Sequence, residues 1–121
     1  MIPFTSQHRY FLYQGIVDFR KSFDGLFGII KHIMESNPLD GNVYIFFNKR
    51  YNQIRLMVYD QGGLVLLSKR LERGTFEMIK TENQTSTQIT WTQLMCMMHG
   101  IKMNSLRYRK RYEITSENIK K

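Results

Sequence analysis

Residues 41–76 decide the fold: GNVYIFFNKRYNQIRLMVYDQGGLVLLSKRLERGTF. Three short apolar runs, residues 43–47, 54–59 and 64–67, are separated by polar turns. They are rich in Val, Ile, Phe and Tyr and have strand length, so the stretch reads as an antiparallel β-meander. In the middle run Ile54, Leu56 and Val58 share one face, while Arg55, Met57 and Tyr59 share the other. Such alternation suits a sheet with one face on a core and one partly wet. Residues 48–53 form a polar turn. Asp60-Gln61-Gly62-Gly63 forms a tighter one, from residues that tolerate positive φ. The meander ends in Lys69-Arg70-Leu71-Glu72-Arg73-Gly74. Within the stretch Lys49, Arg50, Arg55, Lys69, Arg70 and Arg73 stand against Asp60 and Glu72. Basic residues in the turns and at the end of a compact sheet point to binding rather than chemistry.

On the N-terminal side, residues 9–13 are a candidate first strand, and residues 15–21 read as a loop into a helix. From Phe23, apolar residues recur at Leu26, Phe27, Ile30, Ile33 and Met34, which is helical spacing. Ser22 is the expected N-cap and Asn37-Pro38 the expected stop. Gly25 and Gly28 weaken this helix or let another element approach closely. On the C-terminal side, residues 81–88 are polar throughout and are expected to form a long mobile loop. Thr90-Trp91-Thr92-Gln93 matches a capping box, with Trp91, Leu94, Met95 and Met98 on one face of the helix and Gly100 closing it. The expected architecture is α+β: a small antiparallel meander packed with two or three helices. It forms a single domain over residues 1–101, followed by a basic tail over residues 102–121.

The 121 residues carry a formal net charge of +8. Residues 1–100 hold 11 basic and 8 acidic side chains, a net +3, and residues 101–121 hold 7 and 2, a net +5. A basic tail on a mildly basic body is an electrostatic footprint for nucleic acid or an acidic partner. In the tail Arg107, Arg109, Lys110 and Arg111 interleave with Leu106, Tyr108 and Tyr112, which suits phosphate contact with base stacking. The plainer reading of such a run is a solvated chain end. No apolar run reaches membrane-spanning length, and the N-terminus has no secretory pattern. Cys96 lies in an apolar run and reads as a small core residue, consistent with a reducing cytoplasm.

Sites for chemistry are not legible. His8, His32 and His99 are isolated, so no metal is expected, and no cofactor motif is present. No glycine-rich phosphate loop or nucleophile elbow occurs. A two-metal nuclease would require Asp18, Asp24 and Asp60 to converge, which their spacing does not favour. Asp24 fits a first-turn acid on the helix dipole, and Asp60 a turn residue. The sequence therefore predicts no catalytic activity of its own.

With these segments laid out, the chain resembles the small accessory proteins (TnpB) of insertion-sequence family sixty-six, a group of bacterial mobile elements. The likeness begins at Met1-Ile2-Pro3 and continues through Gly15-Ile16-Val17-Asp18-Phe19-Arg20-Lys21-Ser22-Phe23-Asp24-Gly25-Leu26. It takes in Asp40-Gly41-Asn42-Val43-Tyr44-Ile45-Phe46, with Asp40 in place of the usual Ser. Asn48-Lys49-Arg50 and Ile54-Arg55-Leu56-Met57-Val58-Tyr59-Asp60 follow, with Tyr59 where Trp is common. Lys69-Arg70-Leu71-Glu72-Arg73-Gly74-Thr75-Phe76 and residues 90–101 complete it, so the likeness covers residues 1–101 and leaves the tail outside.

The resemblance implies a protein encoded beside a transposase and needed with it for efficient transposition. The expected function is that of a transposition accessory protein in DNA recombination. Its expected partners are DNA, at the element ends, and the transposase, with no membrane. The expected contacts are Arg20, Lys21, Lys49, Arg50, Lys69, Arg70, Arg73, Arg107, Arg109, Lys110 and Arg111. The alternatives are a nuclease using Asp18, Asp24 and Asp60, or a nucleic-acid-binding regulator unrelated to transposition. A structural reading competes for the motif residues: Asp18 pairing with Arg20 or Arg70, and Glu72 with its basic neighbours. An exposed strand edge would make a homodimer easy.

Overall fold

The meander forms as the sequence predicts. The computed structural model describes residues 4–100. Strands β2 (Val43–Phe47), β3 (Gln53–Asp60) and β4 (Gly63–Arg70) pair antiparallel in turn. The β3–β4 register runs unbroken from Gln53↔Arg70 to Asp60↔Gly63. Their two-residue turn has Gln61 at φ 48° and Gly62 at φ 88°. Positive φ at both central positions is the type I′ signature, whose twist matches that of the flanking strands.

Two further strands widen the sheet. Strand β1 (Tyr10–Ile16) lies parallel to β2, and β5 (Ser86–Ile89) lies antiparallel to β1, giving the order β4-β3-β2-β1-β5. Parallel neighbours need a crossover. Here it is made by α1 (Phe23–Gly28) and a π-helical turn (Ile29–Ile33) that continues it. Helix α2 (Trp91–Met98) follows β5. The result is α+β, with a largely antiparallel sheet and helices on both faces.

The alternation in β3 sorts the core into two layers. Ile54, Leu56 and Val58 join Tyr10, Leu12, Val43, Ile45 and Phe47 beneath Leu94 and Met97 of α2. On the other face Met57 joins Tyr44 and Phe46 beneath Leu26, Ile30 and Met34 of the crossover. Thus the second face of β3, expected to be partly wet, is dry at Met57. Cys96 is buried, in agreement with the sequence. Thr90 caps α2 through the reciprocal Thr90–Gln93 box, with bonds of 2.9 and 3.1 Å.

Three local expectations are corrected. Ser22 makes no side-chain cap bond to α1. The crossover helix ends before Asn37-Pro38: Met34 N–H donates to the Ile29 carbonyl, widening the last turn, and Glu35 at φ 53° breaks it. Gly25 does permit a close approach, since a Cβ there would stand 2.7 Å from Lys21 Cβ. Finally, residues 81–88 are no free loop, because residues 86–89 are β5. The β1–β2 register slips between Leu12 and Ile16. Within that slip the Gln14 side chain donates to the Ile79 carbonyl and Thr87 Oγ1 at 3.1 and 3.2 Å, and accepts from Thr81 N–H at 3.0 Å. A polar sequence serves here because β5 is a sheet edge that buries Ile89 alone.

Leu26 is fully buried between crossover and sheet. Leu26→Ala should cost about 2–5 kcal/mol, the usual range for truncating a buried leucine, as read from the urea unfolding midpoint.

Candidate functional site

Segments distant in sequence converge where β1, β2 and β4 end and β3 begins. The β1–α1 loop is tied to β2 by Val17 N–H donating to the Phe47 carbonyl at 2.9 Å. The β2–β3 turn is built on Asn48. Its Oδ1 accepts from Asn52 N–H and Gln53 N–H at 3.1 and 3.0 Å, and its Nδ2 donates to Asn52 Oδ1 at 2.6 Å. Tyr51 sits in the same turn at φ 56°. The segment after β4 folds back on this turn: Leu71 N–H donates to the Asn52 carbonyl at 2.8 Å, and Phe76 N–H to the Tyr51 carbonyl at 2.7 Å. The three basic motifs are thereby stitched to one end of the sheet.

A cleft of about 670 Å³ opens there. The β1–α1 loop supplies Ile16, Val17, Asp18, Phe19 and Arg20, and the β2–β3 segment supplies Asn48, Lys49, Arg50 and Gln53. Of the sequence-predicted contacts, Arg20, Lys49 and Arg50 meet in this cleft. Arg70 pairs with Gln53 across β3–β4, which puts it on the cleft side of the sheet. Lys21 is exposed beside it. Arg73 is exposed in the segment that wraps the turn. Lys69 points elsewhere, donating to the Met98 carbonyl at 3.0 Å, where a cation complements the C-terminal end of α2. Arg107, Arg109, Lys110 and Arg111 lie outside the described residues.

The charges are unequal in availability. Arg20 grips Asp18 through Nε and Nη2, the shortest contact being 2.6 Å. These hydrogen bonds from Arg20 hold the Asp18 carboxyl down to about 2. Among the described residues this is the one ion pair. Neither an Asp18–Arg70 pair nor a network around Glu72 forms there. Lys49 and Arg50 therefore bring charge to the cleft with no acidic partner. Asp18, Asp24 and Asp60 do not gather, and no group of three or more His, Cys, Asp or Glu suited to a metal occurs among the described residues.

A family model described as IS66 Orf2-like protein matches residues 8–108. The chain belongs to that family. It is an insertion-sequence protein associated with transposition, in an accessory-protein family and not one of known enzymes. The chain is 30% identical over 101 residues to the uncharacterized protein y4hO of Sinorhizobium fredii (strain NBRC 101917 / NGR234), covering 84% of this chain and 87% of that one. It is 33% identical over 60 residues to y4jC of the same strain, covering 50% of this chain and 51% of that one. No solved structure matches.

In this IS66 Orf2-like chain the family match leaves out Met1-Ile2-Pro3. It runs past Ile101 to include Arg107, a correction to where the sequence likeness was drawn. Four supporting residues were missed from the sequence. Phe19, Asn48 and Gln53 line the cleft. Arg55 fixes the loop beside it, donating from Nη1 to the Lys21 carbonyl at 2.9 Å with its guanidinium carbon 4.4 Å from the Phe19 ring centroid. The available signal was a cation on the same face as Met57, which needs a partner.

No helix among the described residues is long and apolar enough to cross a membrane. The Asp18 carboxyl should titrate near pH 2 by NMR and move up toward the ordinary carboxylate range in Arg20→Ala. Because the folded value is depressed, whatever the pair contributes is present above about pH 4 and lost as the pH falls through 2.

Proposed function

We propose that this protein assists transposition in the bacterial cytoplasm by binding the phosphate backbone of element-end DNA through the cleft, alongside the transposase. The supporting observation is the meeting of Lys49 and Arg50, without acidic partners among the described residues, with Arg20, Phe19 and Gln53 in one cleft. Unpaired cations held on ordered backbone suit phosphate oxygens, and charge-assisted bonds to phosphate are strong. Arg70, Lys21 and Arg73 extend the basic surface around the rim. The tail cations Arg107, Arg109, Lys110 and Arg111 add sequence-blind, salt-sensitive attraction. Lys69 belongs to the scaffold in this reading. Catalysis is assigned to the transposase.

The test is a DNA titration over a salt series with the doubly substituted Lys49→Ala, Arg50→Ala protein. Each phosphate contact contributes about −0.9 to the slope of log affinity against log salt, so the double variant should flatten that slope by about 2 with an unchanged melting temperature. Deleting residues 102–121 should weaken element-end and random DNA equally. Unchanged DNA affinity together with failure to pull down the transposase would move the cleft from DNA to protein recognition. Metal-dependent cleavage lost in Asp24→Ala would restore the nuclease alternative.

A further inference from the structure

Strand β4 ends the sheet, and among the described residues nothing pairs with its outer edge. Sheet edges are normally blunted by charge, proline or a bulge. This strand has neither proline nor bulge over its eight residues, and its centre, Leu64-Val65-Leu66-Leu67, is uncharged and only half buried. Asp60 and Gly63 flank a two-residue turn and so exchange hydrogen bonds, and bonded pairs alternate along the ladder. Leu64, Leu66, Ser68 and Arg70 therefore turn their N–H and carbonyl groups outward.

We infer that β4 pairs antiparallel with β4 of a second copy, centred on Leu66, to make one ten-stranded sheet. This register sets outward-facing Leu64 against the partner's Ser68 and Leu66 against its own counterpart. It also puts Val65 beside the partner's Leu67, so the apolar centre gains an apolar cross-strand neighbour on each face. The register also sets no like charges against each other, since each Lys69 falls opposite Gly63 of the other copy, where no side chain intervenes. The chain's own residues 101–121 are the poorer occupant, because their net +5 would meet Lys69, Arg70 and Arg73.

The two-fold axis stands perpendicular to the sheet, so both clefts fall on the same side of it. With strands about 4.8 Å apart and a rise of about 3.3 Å per residue, the turns at residues 48–50 stand about 35 Å apart, close to one turn of B-DNA at about 34–36 Å. That spacing rests on the phosphate-binding reading of the cleft, whereas the pairing itself does not.

Light scattering over a concentration series should give the dimer mass for the full chain. Leu66→Lys, which sets two ammonium groups together on the axis, should give half that mass with its circular dichroism retained. Paired residues at the axis lie about 5.5 Å apart between Cα atoms, within disulfide reach. Mild oxidation should therefore link Leu66→Cys chains while the exposed control Thr75→Cys stays largely unlinked. A monomer at all concentrations, or equal linking at both positions, overturns the pairing. A monomer that still binds DNA through Lys49 and Arg50 would refute the dimer and leave the cleft reading intact. A dimer indifferent to those two residues would do the reverse.

Discussion

All five residues of β2 are buried, and Tyr44, Ile45, Phe46 and Phe47 leave almost nothing to solvent. A strand with no wet face must be covered from both sides, and that constraint organises the domain. Odd positions Val43, Ile45 and Phe47 demand one layer, which α2 supplies through Leu94 and Met97. Even positions Tyr44 and Phe46 demand another, which the crossover supplies through Leu26, Ile30 and Met34. The hydroxyl of Tyr44 escapes the core by donating to Asp40 at 2.7 Å; burial and this carboxylate push its pKa up to about 12. The aromatic bulk of β2 is thus accommodated without an unsatisfied polar group of its own.

The same strand fixes where the motifs meet. Its carboxyl end at Phe47 holds the β1–α1 loop through Val17, and its following residue, Asn48, builds the turn that presents Lys49 and Arg50. Residues placed in short, hydrogen-bonded turns at the end of a rigid sheet keep their backbone geometry while their side chains stay in water. Arg55 extends that rigidity from beneath, gripping the Lys21 carbonyl and the Phe19 ring.

Local signals were the legible ones. Period-two alternation gave the meander and its faces, the Asp60–Gly63 residues gave the hairpin, and Thr90 with Gln93 gave the cap of α2. Basic residues at Arg20, Lys49 and Arg50 were recognisable as one class, yet their meeting depends on pairings across the sheet that composition does not encode. β5 was illegible because its polar residues are held by Gln14, whose partner Thr87 is 73 residues away. The π-helical turn escaped because one widened turn leaves the apolar spacing of Ile30 and Met34 almost unchanged. The bond from Lys69 to the Met98 carbonyl was illegible because that acceptor is 29 residues distant and on another element.

Among the described residues β5 pairs with β1 alone, so the first and last strands are zipped together at a single seam. The meander contains mostly near-neighbour contacts and can assemble early, whereas closing β1 onto β5 spans most of the described chain and pays loop-closure entropy before any ladder forms. The seam is therefore the longest closure in the sheet, and it leads directly into α2, the layer that covers Val43, Ile45 and Phe47 just before the turn that carries Lys49 and Arg50.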